Sequence, residues 1–290
     1  MAPDFFDRFA AEPGPGPPPG LQLLFHDSLD LDADALATSL RGHPELAGVR
    51  VELVRVDEVP AAGNLVSADG PPASVLGLVE WGDHRVKLAG FDAPMPYGPV
   101  EACVGPAMVP PPLKQDAKLH ESHALLYYAG THPDPLEWYV ALAAVAAALA
   151  RLDAIVVLNE EARTAVPALD LIPEEGEDLL ATLRGLPIPY LYGGFLRMDV
   201  GEPDRLWVRT YTAHRLGLPD LAYHTAGPGE VRWAFELFAG LLGYLRRTGE
   251  RFAAGDAIDL GGDGKLRLRA PAEPEWFLES AGPMLVVEPD

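Results

Sequence analysis

Apolar and polar positions change period several times along this chain, and each change marks an element. LQLLFH (21–26) is almost continuously apolar and predicts a buried strand. DLDADALATSLRG (30–42) predicts a helix with an aspartate cap and Gly42 at its end. VRVELVRV (49–56) alternates as a half-buried strand does. The stretch from Asp57 to Pro72, rich in Gly, Pro and Ala, predicts a loop. ASVLGLVE and RVKLA flank WGDH and predict a hairpin turning at Gly82-Asp83. That register sets Glu80 opposite Arg85 and Val79 opposite Val86, so charge meets charge and apolar meets apolar.

Prolines dominate 94–112. ESHALLYYAG (121–130) then predicts a strand buried on both faces. The next helix has a strong start, with Asp134 as cap, Pro135 in the first turn and Glu137 three residues after the cap. Its run WYVALAAVAAALA (138–150) is apolar nearly all round, which predicts packing on most sides. DAIVVLN (153–159) predicts a strand, and 174–185 a weaker helix. PYLYGGFLRMDV and RLWVRTY form a second hairpin across residues 201–204, with Leu196, Met198 and Val200 facing one way and Arg197 and Asp199 the other. EVRWAFELFAGLLGYLRRTG (230–249) is an amphipathic helix with Arg246 and Arg247 near its C-terminus and Gly249 beyond it. The hairpin AIDL-GGDG-KLRLR and the strand LVVE follow.

The order strand–helix–strand–hairpin occurs twice, over 21–90 and 121–211. The fold class this implies is α+β: two related modules with antiparallel sheets and helices packed on one side. The predicted division is a disordered Pro/Gly-rich tail (1–20), a first module (21–112) and a second module (113–290). EPGPGPPPG (12–20) is the linker, and the preceding DFFDRFA reads as a frayed terminus rather than a docking helix.

Composition narrows the functional classes. Apolar content of 48% and charged content of 22% are those of a globular protein, and 290 residues suffice for a sizeable core. The net charge of −21 repels nucleic-acid phosphates and anionic membranes, so neither is an expected partner; a basic protein or a small molecule is. Cys103 is the single cysteine, which rules out an intramolecular disulfide and a cysteine zinc site, and it reads as a small buried residue. The N-terminus lacks an apolar signal-peptide core, and the longest apolar run, 13 residues, is too short to span a bilayer, so a cytoplasmic location is expected. Four lysines against eighteen arginines suggest a bacterial source.

No catalytic motif emerges. DLDADA (30–35) begins like a calcium loop but has Ala35 and Arg41 where glycine and glutamate belong. GGDGK (261–265) lacks the first glycine and the Ser/Thr of a phosphate loop, so a hairpin turn is the better reading. His120 and His123 are three apart, and on a strand they point to opposite faces, so no metal and no cofactor are predicted. His123 reads as a hydrogen-bonded histidine at the sheet edge. Arg197, Arg205 and Arg209 on the second hairpin offer either local ion pairs or an anion-binding strip.

The stretch RTYTAHRLGLPDLAYHTAG (209–227) gathers Arg209, Tyr211, His214 and Arg215 around a Gly-Leu-Pro-Asp corner in an otherwise acidic chain. Gly217 and Pro219 suit the corner itself, glycine by permitting positive φ and proline by stiffening the exit. The run from Arg209 to Leu221, the helix end Tyr244-Leu245 with Gly249, and the turn Gly255-Asp256-Ala257-Ile258 resemble the signature of domain of unknown function 4261, a mainly bacterial family. Glu121-Ser122-His123-Ala124 matches that family's His-x-Ala-His element in part, with an apolar residue at the second histidine position. The resemblance is best over 190–270. It implies turns and strand ends of the fold and carries no activity with it.

The functional expectation is a non-enzymatic binding or regulatory protein, such as an acidic immunity-like partner of a basic protein. One alternative is a hydrolase or transferase with a site between the modules; another is an adaptor docking through its Pro-rich N-terminus. The residues singled out for ligand binding are His123, Arg197, Arg209, Tyr211, His214 and Asp256.

Overall fold

The computed structural model describes residues 5–10, 17–56, 72–201, 205–260 and 264–289. Outside them lie residues 12–16 of the Pro/Gly linker, the loop at 57–71, the tip of the second hairpin at 202–204 and residues 261–263 of the glycine turn. The class is α+β, with two sheets and accompanying helices. The chain forms two compact units, Met1–Glu160 with Ala165–Gly185, and Glu161–Thr164 with Leu186–Asp290.

In the first unit the elements run α1 (Phe5–Ala10), β1 (Gly20–Phe25), α2 (Ala33–Arg41), β2 (Arg50–Arg55), β3 (Val75–Trp81), β4 (His84–Phe91), α3 (Tyr97–Val104), α4 (Pro111–Lys118), β5 (Ser122–Tyr128), α5 (Pro135–Ala150), β6 (Ala154–Asn159), β7 (Thr164–Pro167) and α6 (Leu179–Gly185). The strands form one sheet in the order β2-β3-β4-β5-β1-β6-β7. The β3–β4 hairpin has the register its charges require: Glu80 pairs with Arg85 and Val79 with Val86, and Arg85 Nε donates to Glu80 Oε1 at 2.6 Å. α5 starts where its cap predicts, Asp134 accepting from the Leu136 N–H at 3.0 Å, and is buried continuously from Tyr139 to Ala150. Glu137 does not close a capping box; it accepts from Arg184, whose guanidinium also holds Glu45.

Three expectations are corrected here, and one span without an assigned element is filled in. The segment DFFDRFA is a docked helix: Phe5 and Phe9, four apart on one helix face, are buried with Leu76, Leu78, Ala89 and Phe91, and Arg8 bonds Glu52 at 2.6 Å and Glu80 at 2.8 Å. The proline-rich span 94–112 contains α3 and the start of α4, because Pro96 and Pro110 sit at the extended cap position and Pro111 in the first turn, where a missing N–H costs nothing. Helices cover both faces of this sheet. Leu24, Val156 and Leu158 meet Val100, Cys103 and Val104 of α3 on one face, while Leu21 and Leu23 point the other way and are fully buried on the side of α5. Finally, β5 is an interior strand, so His123 is not at the sheet edge.

The second unit holds β8 (Leu196–Met198), β9 (Trp207–Arg209), β10 (Asp220–His224), α7 (Val231–Thr248), β11 (Ala257–Asp259), β12 (Lys265–Arg269) and β13 (Met284–Pro289). Its sheet runs β11-β12-β13-β10-β9-β8, with β13 parallel to β10 and the other pairs antiparallel. One face buries Trp207, Ala222, Leu278, Met284 and Val286. α7 buries Ala234, Phe238, Leu241, Leu242 and Leu245, a stripe at helical spacing, and ends on Gly249 at φ 72°.

The domain boundary therefore falls near 185, not at 112, because β5, α5 and β6 complete the first sheet. The spans 21–90 and 121–211 are not twin modules. The second is divided between the units, and the helical crossovers differ: α2 joins β1 to β2 past three intervening strands, whereas α5 joins β5 to β6 past β1 alone.

Candidate functional site

The side chains that converge most closely lie in the second unit, where β9 leads into the corner before β10. β9 ends at Arg209, and Gly217 closes the corner in the left-handed region at φ 74°, as its sequence setting predicts. Asp220, the first residue of β10, is fully buried. Its Oδ1 accepts from the Thr210 hydroxyl at 2.9 Å and the Ala213 N–H at 2.9 Å. Its Oδ2 accepts from the Ser280 hydroxyl at 2.7 Å and from His214 Nδ1 at 3.1 Å. A carboxylate has about four acceptor sites, and these four donors fill them. Parallel pairing of β10 with β13 sets Asp220 beside Met284 and so brings the segment carrying Ser280 to it.

Arg209 is 1% exposed. Its Nε donates to Thr210 O at 3.0 Å, and its Nη1 to Phe277 O and Glu279 O, both at 3.2 Å. Nη2 has no hydrogen-bond partner among the described residues. Burial pulls the Arg209 pKa below the usual guanidinium range, opposed by the nearby charge of Asp220. Two guanidinium groups pack on the Tyr211 ring, with Arg209 Cζ 4.8 Å and Arg163 Cζ 4.6 Å from its centroid. Arg215 is held by Glu161 at 2.5 Å. A cavity of about 430 Å³ opens here, lined by Glu161, Arg209, Tyr211, His214, Glu279 and Ser280 among others. That volume lies within the common range of small-molecule sites.

Of the six residues singled out from sequence, the structure brings Arg209, Tyr211 and His214 together and leaves three apart. His123 lies in the first unit, buried and stacked on Phe91 with centroids 4.7 Å apart, its Nδ1 donating to Ala93 O at 2.7 Å. Its companion His120 accepts from the Met95 N–H at Nε2, which places its proton on Nδ1, bonded to Ala117 O at 2.6 Å. Both rings are thus committed to backbone groups. Among the described residues no group of three or more His, Cys, Asp or Glu side chains could hold a metal. Arg197 is exposed and on the opposite face of the β8–β9 hairpin from Arg209, which pairs with Leu196; the two do not form an anion-binding strip. Asp256 is an exposed turn residue accepting from the Ala253 N–H at 2.8 Å. Sequence reasoning missed Ser280 and Arg163, and took Asp220 for a corner residue only.

No protein-family model matches the chain. No curated protein and no solved structure matches it. Among the described residues, no helix is long and apolar enough to cross a membrane.

Proposed function

We propose that this chain is a non-enzymatic binding protein whose recognition site is the cavity beside Arg209 and His214. The wiring of Asp220 carries this reading. In a serine nucleophile relay the hydroxyl gives its proton to the imidazole, and the acid orients the far side of that ring. Here Ser280 and His214 are parallel donors to one oxygen of Asp220, and the serine proton is committed to the acid. The trio braces the corner and leaves the cavity for a ligand. Incubation with nitrophenyl esters and phosphate esters is expected to give no turnover above buffer. Turnover abolished by Ser280→Ala would overturn the reading.

The net charge of −21 supports a basic protein as a macromolecular partner, whose capture would weaken steeply with salt. The hydrolase or transferase reading draws on one observation, the His214–Asp220 pair, which leaves Nε2 as the ring's other nitrogen. It requires activity lost in His214→Ala. Kinship with domain of unknown function 4261 over 190–270 is proposed from the sequence run around Tyr211 and Gly217.

A further inference from the structure

We propose that the cavity of the second unit seats the carboxylate group of a small organic acid on Arg209. The inference rests on the binding reading above and names the chemistry of its ligand.

The argument begins with an unspent donor. A buried guanidinium is costly to desolvate, and proteins normally satisfy every buried N–H. Arg209 spends Nε and Nη1 on three backbone carbonyls, which fixes the plane and position of the group. Those acceptors are neutral. The Asp220 carboxylate, whose charge acts on Arg209, is saturated by Thr210, Ala213, His214 and Ser280 and makes no hydrogen bond to Arg209. Nη2 is left buried with its donors unused, and Arg209 is one of the residues lining a 430 Å³ cavity. An ionised oxygen is the acceptor that such a donor binds most strongly.

The walls select among anions. Glu161 and Glu279 both line the cavity. Arg215 neutralises Glu161, while the exposed Glu279 has no ion-pair partner among the described residues. A phosphate dianion would meet that charge with one free guanidinium nitrogen to hold it. A carboxylate carries one charge and is planar, which suits a single guanidinium edge. Tyr211 and Ala281 add apolar surface for the carbon skeleton. Nη2 itself is buried, and the Tyr211 ring packs on the guanidinium 4.8 Å from Cζ, so in the proposed complex the ring turns to let the ligand reach Nη2.

Isothermal titration calorimetry on the full chain, with sodium benzoate, sodium acetate and inorganic phosphate at constant ionic strength, tests the proposal. Saturable benzoate binding, weakened about tenfold or more by Arg209→Lys, is the expected result, since tenfold corresponds to losing one good charged hydrogen bond. Ala281→Trp fills the cavity from an exposed position and leaves Arg209 intact; it should also abolish binding, and it decides the matter if Arg209→Lys does not fold. Phosphate binding as tight as benzoate overturns the choice of carboxylate. Failure of both carboxylates to bind, or benzoate binding indifferent to the Ala281→Trp change, overturns the site. None of these outcomes produces Ser280-dependent turnover, so failure of the ligand class is distinguishable from failure of the binding reading.

Discussion

Gly282 packs its backbone against the His214 side chain so closely that a Cβ at 282 would overlap His214 Cβ and Cγ. The ring that bonds Asp220 is thus held in place by the absence of a side chain at Gly282, on the segment that leads into β13. Gly282→Ala should displace His214 and cost about 1–3 kcal/mol, the usual range for overpacking. Urea denaturation would read the loss, and a shifted His214 ring resonance would locate it.

Asp220→Ala strips an acceptor from four donors at once. Removing one partner from a buried charged network costs about 3–5 kcal/mol. Thr210→Val deletes one of the four bonds to Asp220 and the hydroxyl that accepts from the Leu221 N–H at 2.9 Å, so it should cost about 1–3 kcal/mol. Equal losses for the two variants would refute the account of Asp220 as the hub.

The N-terminal helix contributes stability. Phe9→Ala should cost about 2–3 kcal/mol, somewhat under the ~3–5 kcal/mol of a deep core phenylalanine because a six-residue helix can detach. Deleting residues 1–10 should lower the melting temperature by a similar free energy. An unchanged melting temperature would show that the helix does not dock in solution.

Mild acid should weaken the first unit. Burial holds His84 below the usual histidine range, helped by the neighbouring His132, and burial likewise lowers His120 and His123. The unfolded chain then binds protons that the folded chain refuses. The stabilisation is complete above the ordinary value of 6.5 and is lost as pH falls toward the depressed folded values. Urea midpoints should fall between pH 7.5 and 5.5. A second loss follows below the ordinary carboxylate value of 4.5, where Glu45 and Glu275 are kept ionised by hydrogen bonds from Arg184 and Arg269. Arg269→Ala should remove the Glu275 share of that acid limb, keep the Glu45 share and leave the histidine limb unchanged.

Local signals in the sequence were read correctly where one segment contains all the physics. The β3–β4 turn, with Glu80 facing Arg85, and the start of α5 at Asp134 are of this kind. α3 and α4 were hidden because proline marks both loops and helix starts, and only the φ/ψ of the neighbours decides between them. Arg209, Tyr211 and His214 stood out as basic and aromatic residues in an acidic chain. Ser280 did not, because it meets Asp220 through a parallel strand pairing sixty residues away in sequence. The duplication inferred from element order failed for a similar reason: order along the chain does not fix which strands become neighbours.

The interior position of β13 has a consequence for synthesis. β13 lies between β12 and β10, so the pair β11–β12 and the three strands β10–β9–β8 are separate fragments until it arrives. A nascent chain that has already emitted Asp220, His214 and Arg209 holds them unassembled, with no Ser280 and no strand to align it. The first unit can close its own sheet meanwhile, since its strands are all translated earlier. Ribosome-arrested chains ending before residue 280 should therefore carry a protease-resistant first unit and a protease-sensitive second one.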